Sequence, residues 1–269
     1  MLGALIAAVF AAVVGFFSIT AWGIGWGISC CLLAFLVGWL VFGLILRKLV
    51  LDRQDGVQKI MMETQAKVNR QLELFNRRPP SSMNAARQIL EKIQFEGIRN
   101  ALAELEKFKP LYIWNMMLAR QVNTMKLQLY FQLREYDKVD ELLPKAILMD
   151  PQSMGIKLVR MYKKGDETLD KFYGRKSWKF RGENGAFLAC VYGWIKVKQE
   201  QPEVALEALK KARKFSDHEV LVANIDALSN GKIKHYSNSG FGDNWYALGL
   251  EEPKQPKAKK QQMRGGRPF

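Results

Sequence analysis

Side chains that could perform catalysis or bind a metal are few in this chain of 269 residues. There are three cysteines, Cys30, Cys31 and Cys190, and two histidines, His218 and His235, which lie 17 positions apart. A structural zinc site needs about four closely spaced ligands, and the sequence has no CxxC, HExxH, GxSxG or Walker glycine motif. The sequence therefore predicts neither an enzyme nor a metal or cofactor site.

Positive charge and aromatic rings alternate over residues 171–181, which we call the basic-aromatic patch. Such a mixture is typical of surfaces that stack nucleic-acid bases or lie against anionic lipid headgroups. The alternative is that the rings belong to a helical core and the charged side chains simply face water. The patch combines Phe172, Tyr173, Trp178 and Phe180 with Lys171, Arg175, Lys176, Lys179 and Arg181.

A second basic segment closes the sequence. Residues 253–269 carry no acidic side chain. A segment with high net charge and few apolar residues does not build a core, so a disordered tail is predicted. Its charge alone would attract RNA, acidic protein or anionic lipid. The cations of this basic tail are Lys254, Lys257, Lys259, Lys260, Arg264 and Arg267.

The distribution of charge along the chain indicates a membrane segment. Residues 1–46 contain no Asp, Glu, Lys, Arg or His, so the net charge of +15 belongs entirely to residues 47–269. As one helix rising about 1.5 Å per residue, residues 1–46 would greatly exceed a bilayer core of about 30 Å. The glycines and tryptophans of residues 20–27 favour a turn at headgroup level. We expect a transmembrane helical hairpin, with helices over residues 2–20 and 28–46.

The charges that follow the hairpin predict its orientation. Residues 47–80 hold eight Lys or Arg side chains against four acidic ones, whereas the hairpin turn carries no charge. By the positive-inside rule, we expect the N-terminus and the domain after the hairpin both to lie in the cytoplasm. The alternative is a cleaved signal peptide followed by one anchor, but the start of the chain lacks the basic residues of such a peptide.

The hairpin and the helix after it allow either internal packing or self-association. Ala7, Ala11 and Gly15 recur at four-residue spacing, as in closely packed membrane helices, and we favour packing within the hairpin over dimerisation. Residues 47–78 are predicted to form a stalk helix that two prolines terminate, in a segment spanning 47–82. Its apolar seam is expected to pack on the next domain in preference to a second copy. The seam consists of Val57, Met61, Thr64, Val68, Leu72 and Phe75.

Residues 83–230 have helical periodicity, and two stretches share a 34-residue frame. In the frame that starts at Arg120, positions 11, 20, 24, 27 and 32 hold Tyr130, Val139, Leu143, Ala146 and Pro151. In the frame that starts at Ala186, positions 8, 20, 24 and 27 hold Gly193, Ala205, Leu209 and Ala212. These stretches resemble the tetratricopeptide repeat (TPR), in which small residues let paired helices touch. The resemblance implies an all-α fold, with a TPR-like α-solenoid over 83–231.

The two stretches depart from the repeat pattern at several positions. Asn123 and Leu127 stand where an aromatic residue and a glycine are usual, and Lys196 and Asp217 also depart from the pattern. The layout of two membrane helices followed by cytoplasmic repeats is similar to that of HemY-like membrane proteins.

The rest of the repeat domain is expected to be less regular. Degenerate helix pairs are predicted at 85–95 with 98–109 and at 152–164 with 166–173, and a closing helix is predicted at 218–230. The aromatic segment 232–252 then either caps the repeats or docks another protein.

In the tetratricopeptide family, the first helix of each repeat faces a concave groove that binds peptides or helices. The sequence therefore predicts a membrane-anchored scaffold that recruits a protein partner to the cytoplasmic face of the membrane. Self-association through the hairpin or the stalk is a further expectation. The alternative is a membrane tether for RNA, ribosomes or anionic lipid, acting through the basic tail and the basic-aromatic patch. The resemblance assigns to the groove Gln121, Thr124, Gln128, Phe131, Phe187, Cys190, Trp194, Val197 and Lys198.

Overall fold

A computed structural model describes residues 2–253, apart from the side chains of residues 2–7, 22, 27 and 116. About 80% of the structure is helical and the described residues form no strand, which confirms the predicted all-α class. The chain divides into two compact units between Leu148 and Met149, inside the predicted 83–231 domain. The predicted basic tail, from Lys254 onward, lies outside the described residues.

The first unit begins with two helices that pack against each other, α1 (Leu2–Trp22) and α2 (Ile24–Arg77). Gly23 is the single residue between them, with φ +88°, a backbone conformation that glycine adopts without steric cost. The turn predicted over residues 20–27 is therefore wrong in extent. The chain reverses at one residue and Gly25 is helical, because one glycine with positive φ suffices for the break.

Helix α2 is long and apolar enough to cross a membrane, and among the described residues it is the one helix that meets both criteria. The described part of α1, Ala8–Ala21, is a shorter apolar helix. Ala11, Gly15 and Ala34 are buried in the packed pair, whereas Ala8 and Ala12 are exposed. The stripe of small residues thus serves contact between α1 and α2. Large side chains cover the outer surface of the pair, including Phe16, Phe17, Leu32, Leu33 and Leu36.

The predicted stalk is the C-terminal half of α2, so that no break separates it from the apolar segment. Its seam packs against α3 (Met83–Glu106), which Ser82 caps by accepting a hydrogen bond from the Ala85 amide at 3.1 Å. Val57 and Val68 are buried in this contact, while Leu72 is largely exposed. The seam is therefore used for packing within the chain.

Helix α3 is continuous where the sequence analysis placed a turn between residues 95 and 98. Gly97 lies at the contact between α2 and α3, and a Cβ atom added there would overlap the Thr64 side chain. Glycine at this position lets the two helix backbones approach closely, so the predicted helix pair 85–95 with 98–109 is wrong. The remaining helices of this unit are α4 (Met116–Gln132) and α5 (Tyr136–Leu142).

The second unit begins with the pair α6 (Pro151–Lys164) and α7 (Leu169–Lys176), close to the predicted 152–164 and 166–173. Its central helix is α8 (Gly182–Lys198), in which every residue from Ala186 to Lys196 is buried. Helix α8 packs against α6, α9 and α10, so its surroundings are protein on most sides. The last helices are α9 (Pro202–Arg213), α10 (Glu219–Ser229) and the short α11 (Asp243–Tyr246).

Candidate binding cleft

The residues that the repeat resemblance assigned to a groove in the first unit do not form an open row. Phe131 is buried, and its ring contacts the edge of Tyr136 with the ring centroids 5.7 Å apart. Thr124 is also buried, and its hydroxyl accepts from the Ile147 amide at 2.9 Å and lies 2.8 Å from the Ile147 carbonyl oxygen. Gln121 is exposed and Gln128 is half-buried. The assignment of Thr124 and Phe131 to an open surface is therefore wrong, because both belong to the core.

In the second unit, a later segment of the chain covers three of the predicted groove residues, Phe187, Cys190 and Trp194, whereas Val197 is half-buried and Lys198 is exposed. Phe187 contacts Phe241 with 5.3 Å between ring centroids, and Trp194 contacts Trp245 at 5.8 Å. Phe187 and Trp194 are both buried, as is Cys190. Lys198 lies over the Trp194 ring, with its Nζ 5.2 Å from the ring centroid. These assignments are corrected for a physical reason: residues 236–251, which we call the cap segment, occupy this face of α8.

Polar bonds fix the cap segment in place. Tyr236 Oη and Asn238 Nδ2 both donate to the Cys190 carbonyl oxygen, at 2.8 and 2.9 Å. Asn224 connects two parts of the segment, donating to Asn238 Oδ1 at 2.9 Å and accepting from the Ser237 amide. Buried polar groups are costly unless they are paired, and here each of them has a partner. The cap segment thus packs on the unit, and its buried Trp245 is not available to dock another protein.

A carboxylate closes the cap segment over α8. Glu251 accepts from the Trp194 indole nitrogen at 2.7 Å and from the Trp245 indole nitrogen at 3.0 Å, one on each oxygen. Burial raises the pKa of the Cys190 thiol beneath this face to about 12. The thiol is therefore protonated at neutral pH and is not a nucleophile.

In contrast to the covered face of α8, the surface where the basic-aromatic patch meets α8 and α9 is open. There a cleft of about 440 Å³ lies open to solvent. Its walls come from α7 and the turn after it, from α8 and from α9. They include Tyr173, Trp178, Phe180, Arg181, Tyr192, Val204, Glu207 and Phe215.

The inner wall of this cleft is rigid and neutral. Tyr173 and Tyr192 stack with 3.9 Å between ring centroids and 3° between planes. Tyr192 donates its hydroxyl proton to Asp170 at 3.0 Å, and Lys196 forms an ion pair with the same carboxylate at 2.6 Å. Burial raises the pKa of both phenols far above their ordinary value, so they remain uncharged.

The outer rim of the cleft carries exposed rings beside cations. Trp178 is 67% exposed and Phe215 is 56% exposed, which is unusual for side chains of this size. The Arg181 guanidinium lies 5.0 Å from the Phe215 ring centroid, and Lys179 Nζ lies 5.7 Å from that of Trp178. The five cations of the basic-aromatic patch are all exposed, whereas Phe172, Tyr173 and Phe180 are half-buried.

Six of the sixteen residues that line this cleft belong to the predicted patch. The patch 171–181 supplies one wall, but Tyr192, Val204 and Phe215 come from later helices and were not assigned to it. One signal was present: Phe215 directly follows the basic run from Lys210 to Lys214, where a large apolar residue has no structural need.

The two histidines lie in different surroundings. His218 caps α10 through Nδ1, which accepts from the Val220 amide at 3.2 Å, and its ring stacks on Phe241. His235 is exposed in a short turn of 3₁₀ helix. Over residues 2–253, no group of three or more His, Cys, Asp or Glu side chains could hold a metal ion.

Comparison with known proteins identifies no relative of this chain. No protein-family model, curated protein or solved structure matches this chain significantly. The candidate site is therefore defined by its geometry: a cleft with a neutral aromatic wall and a basic, aromatic rim.

Proposed function

We propose that this protein is a membrane-anchored adaptor that recruits a protein partner to the cytoplasmic face of a bacterial inner membrane. The anchor in this proposal is the helical pair of α1 and the apolar part of α2. Its support is the length and apolar composition of α2, together with the exposed large side chains on its outer surface. The positive charge of residues 47–80 supports a cytoplasmic location for the rest of the chain.

The helical units that follow the anchor are TPR-like in this proposal. Most positions of the two repeat frames that should touch between paired helices are buried, which supports it, while Ala212 is half-buried. Helix α4 packs on α5 and α8 packs on α9, as paired helices of a repeat do. The buried frame positions are Val139, Leu143, Ala146, Ala205 and Leu209.

The observation that carries the adaptor proposal is the open cleft in the second unit. Exposed aromatic rings around a concave, partly apolar surface are typical of sites that anchor a large side chain of a partner. The negative groups of the inner region are already paired, Asp170 with Lys196 and Glu207 with Lys211 at 3.3 Å. The rim that remains is basic: Arg181 lines it, and Lys179 lies beside the Trp178 ring.

These features define the chemistry of the partner. An extended peptide with an aromatic or aliphatic anchor residue flanked by Asp or Glu would place the anchor between Trp178 and Phe215. Its carboxylates would then meet the exposed cations of the rim. We propose that the cleft binds this partner and catalyses no reaction on it.

A second candidate function is a tether for RNA, ribosomes or anionic lipid. It is favoured by the exposed cations of the basic-aromatic patch next to the exposed Trp178 ring, on which a base would stack. The basic tail would add to the same electrostatic attraction. In this case binding should weaken steeply as salt is raised, with a slope of about −0.7 per phosphate contact for a single strand.

The test is photo-crosslinking of the full-length protein in native membranes. A photoreactive residue is placed at Val204 in the cleft or, as a control, at Ile233, which is similarly exposed in the same unit but outside the cleft. We expect a protein adduct from position 204 that survives nuclease treatment and is lost in the Trp178→Ala, Phe215→Ala double variant. Adducts that are equal from both positions would contradict the proposal, and adducts that disappear with nuclease would favour the RNA tether.

A further inference from the structure

The loop between α3 and α4 lies beside the apolar segment of α2, within the first unit. The Trp114 ring of this loop contacts the Phe42 ring of α2, with 5.4 Å between ring centroids. Val50, Leu111 and Tyr112 pack together around the core that α2 shares with α3 and α4. The loop is therefore held against α2 on both sides of Arg47, the first charged residue of the chain.

The contact with Phe42 fixes the depth of the loop relative to the apolar segment. The uncharged part of α2, from residue 24 to 46, rises about 34 Å, slightly more than a bilayer core of about 30 Å. Phe42 precedes Arg47 by five residues, which is about 7 Å along the helix axis. A core centred on this segment would include Phe42 just inside its cytoplasmic boundary, and Trp114 lies at the same level.

The side chains next to Trp114 are apolar and exposed, as expected for residues at the boundary of the bilayer core. Ile113 is 68% exposed and Met117 is 55% exposed, so the described residues leave more than half of each of these two large apolar groups uncovered. Asn115, between them, uses its side chain to cap α4, accepting from the amides of Met117 and Leu118. The cap fixes the backbone of the loop tip, and the exposed side chains are therefore presented by a rigid element.

Cations surround the loop at the height where headgroups would lie. Lys107 and Lys109 lie at the start of the loop and are more than half exposed, each in an ion pair with a glutamate at the end of α3. Arg47 and Lys48 follow the apolar segment of α2. Lysine and arginine at the ends of membrane helices extend their charged groups into the headgroup region, where tryptophan also concentrates. The arrangement of apolar tip, tryptophan and flanking cations is that of an interfacial anchor.

We infer that residues 113–117, the end of the α3–α4 loop with the first turn of α4, insert Ile113, Trp114 and Met117 into the lipid interface of the membrane that holds the hairpin. The inference rests on the proposed membrane anchor and adds a second, non-helical contact with the bilayer. It commits to lipid as the occupant because the surface is continuous with the apolar segment through the Phe42–Trp114 contact. The consequence is that the first unit lies directly on the bilayer surface.

The test measures the depth of single spin labels on the full-length protein in vesicles of phosphatidylcholine with a minor share of phosphatidylglycerol. Cys30 and Cys31 are first replaced by Ala, and the buried Cys190 remains. Labels are placed by Ile113→Cys and Met117→Cys in the loop, by Leu36→Cys in the apolar segment and by Met62→Cys on the distal part of α2. Leu36 and Met62 are exposed to a similar degree as Ile113.

The readout is the accessibility of each label to oxygen, which partitions into lipid, and to a nickel complex, which stays in water. We expect the loop labels to follow position 36, with several-fold more contact with oxygen relative to nickel than at position 62. Loop labels that match position 62 while position 36 is in lipid would overturn the loop inference alone. Loop labels shielded from both reagents would indicate a protein contact and would also overturn it. A label at position 36 that contacts nickel would overturn the membrane anchor and the loop inference together.

Discussion

Helix α8 has two aromatic-rich faces, one covered by a later segment of the chain and one open to solvent. On one, Phe187 and Trp194 are covered by the cap segment, and the indole nitrogens of Trp194 and Trp245 donate to Glu251. On the other, Tyr192 forms the inner wall of a cleft whose rim leaves Trp178 and Phe215 exposed. Aromatic composition does not distinguish the two faces. What distinguishes them is whether the same chain covers the rings and pairs their polar groups.

The largest expected difference concerns the thiol beneath the covered face. A pKa of about 12 in place of 9.0 leaves Cys190 with about a thousandth of the ordinary thiolate fraction near neutral pH. In the background with Cys30 and Cys31 replaced by Ala, we expect maleimide to modify native Cys190 about 1000-fold more slowly than denatured protein. Because only the thiolate reacts, the native rate should increase with pH up to the pKa. Equal rates for native and denatured protein would show that the cap segment does not close this face.

Two tryptophan substitutions compare the faces directly. Trp245→Ala removes a fully buried ring and should lower the free energy of unfolding by about 3–5 kcal/mol. Trp178→Ala removes an exposed ring and should change it by about 0.5 kcal/mol or less. Chemical denaturation of the full-length protein in detergent micelles measures both values. Similar losses for the two variants would remove the distinction between a covered face and an open one.

A close contact under the cap segment gives a smaller, more specific effect. A Cβ atom at Gly193 would lie 2.5 Å from Tyr236 Oη, so Gly193→Ala should cost about 1–3 kcal/mol of stability. In a Tyr236→Phe background the clashing oxygen is absent, and the cost of the same substitution should fall. A double-mutant cycle in the denaturation experiment isolates this coupling. A cost that is independent of residue 236 would mean that Tyr236 does not contact α8 at this point.

Under the cap segment, the smallest expected loss of stability comes from Glu251. Glu251→Gln keeps one acceptor oxygen but turns an amide group toward the second indole N–H, so one of the two hydrogen bonds is lost. We expect a loss of about 1–2 kcal/mol in the unfolding free energy. Glu167→Gln is the control, since this glutamate is exposed in the same unit and should have little influence. Faster modification of Cys190 in the Glu251 variant alone would connect the carboxylate to closure of the face.

The sequence predicts elements better than it predicts which faces they expose. Helical periodicity located α6, α7 and α10 closely, because their ends carry local signals such as the Asp150 cap and Gly165 with φ +66°. Gly97 lies between the two helices that were predicted at 85–95 and 98–109. Its structural role depends on its contact with Thr64, in another helix and 33 positions earlier in the chain. No local pattern separates a glycine that breaks a helix from one that admits a neighbouring helix.

The candidate site was only partly predictable for a related reason. The rings of Phe187 and Trp194 match groove positions of the repeat, and only the fold shows that residues 50 or more positions later cover them. The patch 171–181 was recognised from its composition alone. Its partners Tyr192 and Phe215 reach the cleft through the packing of α8 and α9, a three-dimensional relation that spacing within one helix does not contain.

The absence of a break in α2 fixes an angular relation along the chain. Successive residues turn by about 100°, so the direction in which Phe42 points determines the direction of Val57 and Val68 further along the same helix. One residue inserted after Arg47 would rotate the seam by that angle and turn it away from α3, whereas four inserted residues would nearly restore its direction. The continuous helix therefore fixes both the distance and the rotation angle between the side that faces α1 and the side that faces α3.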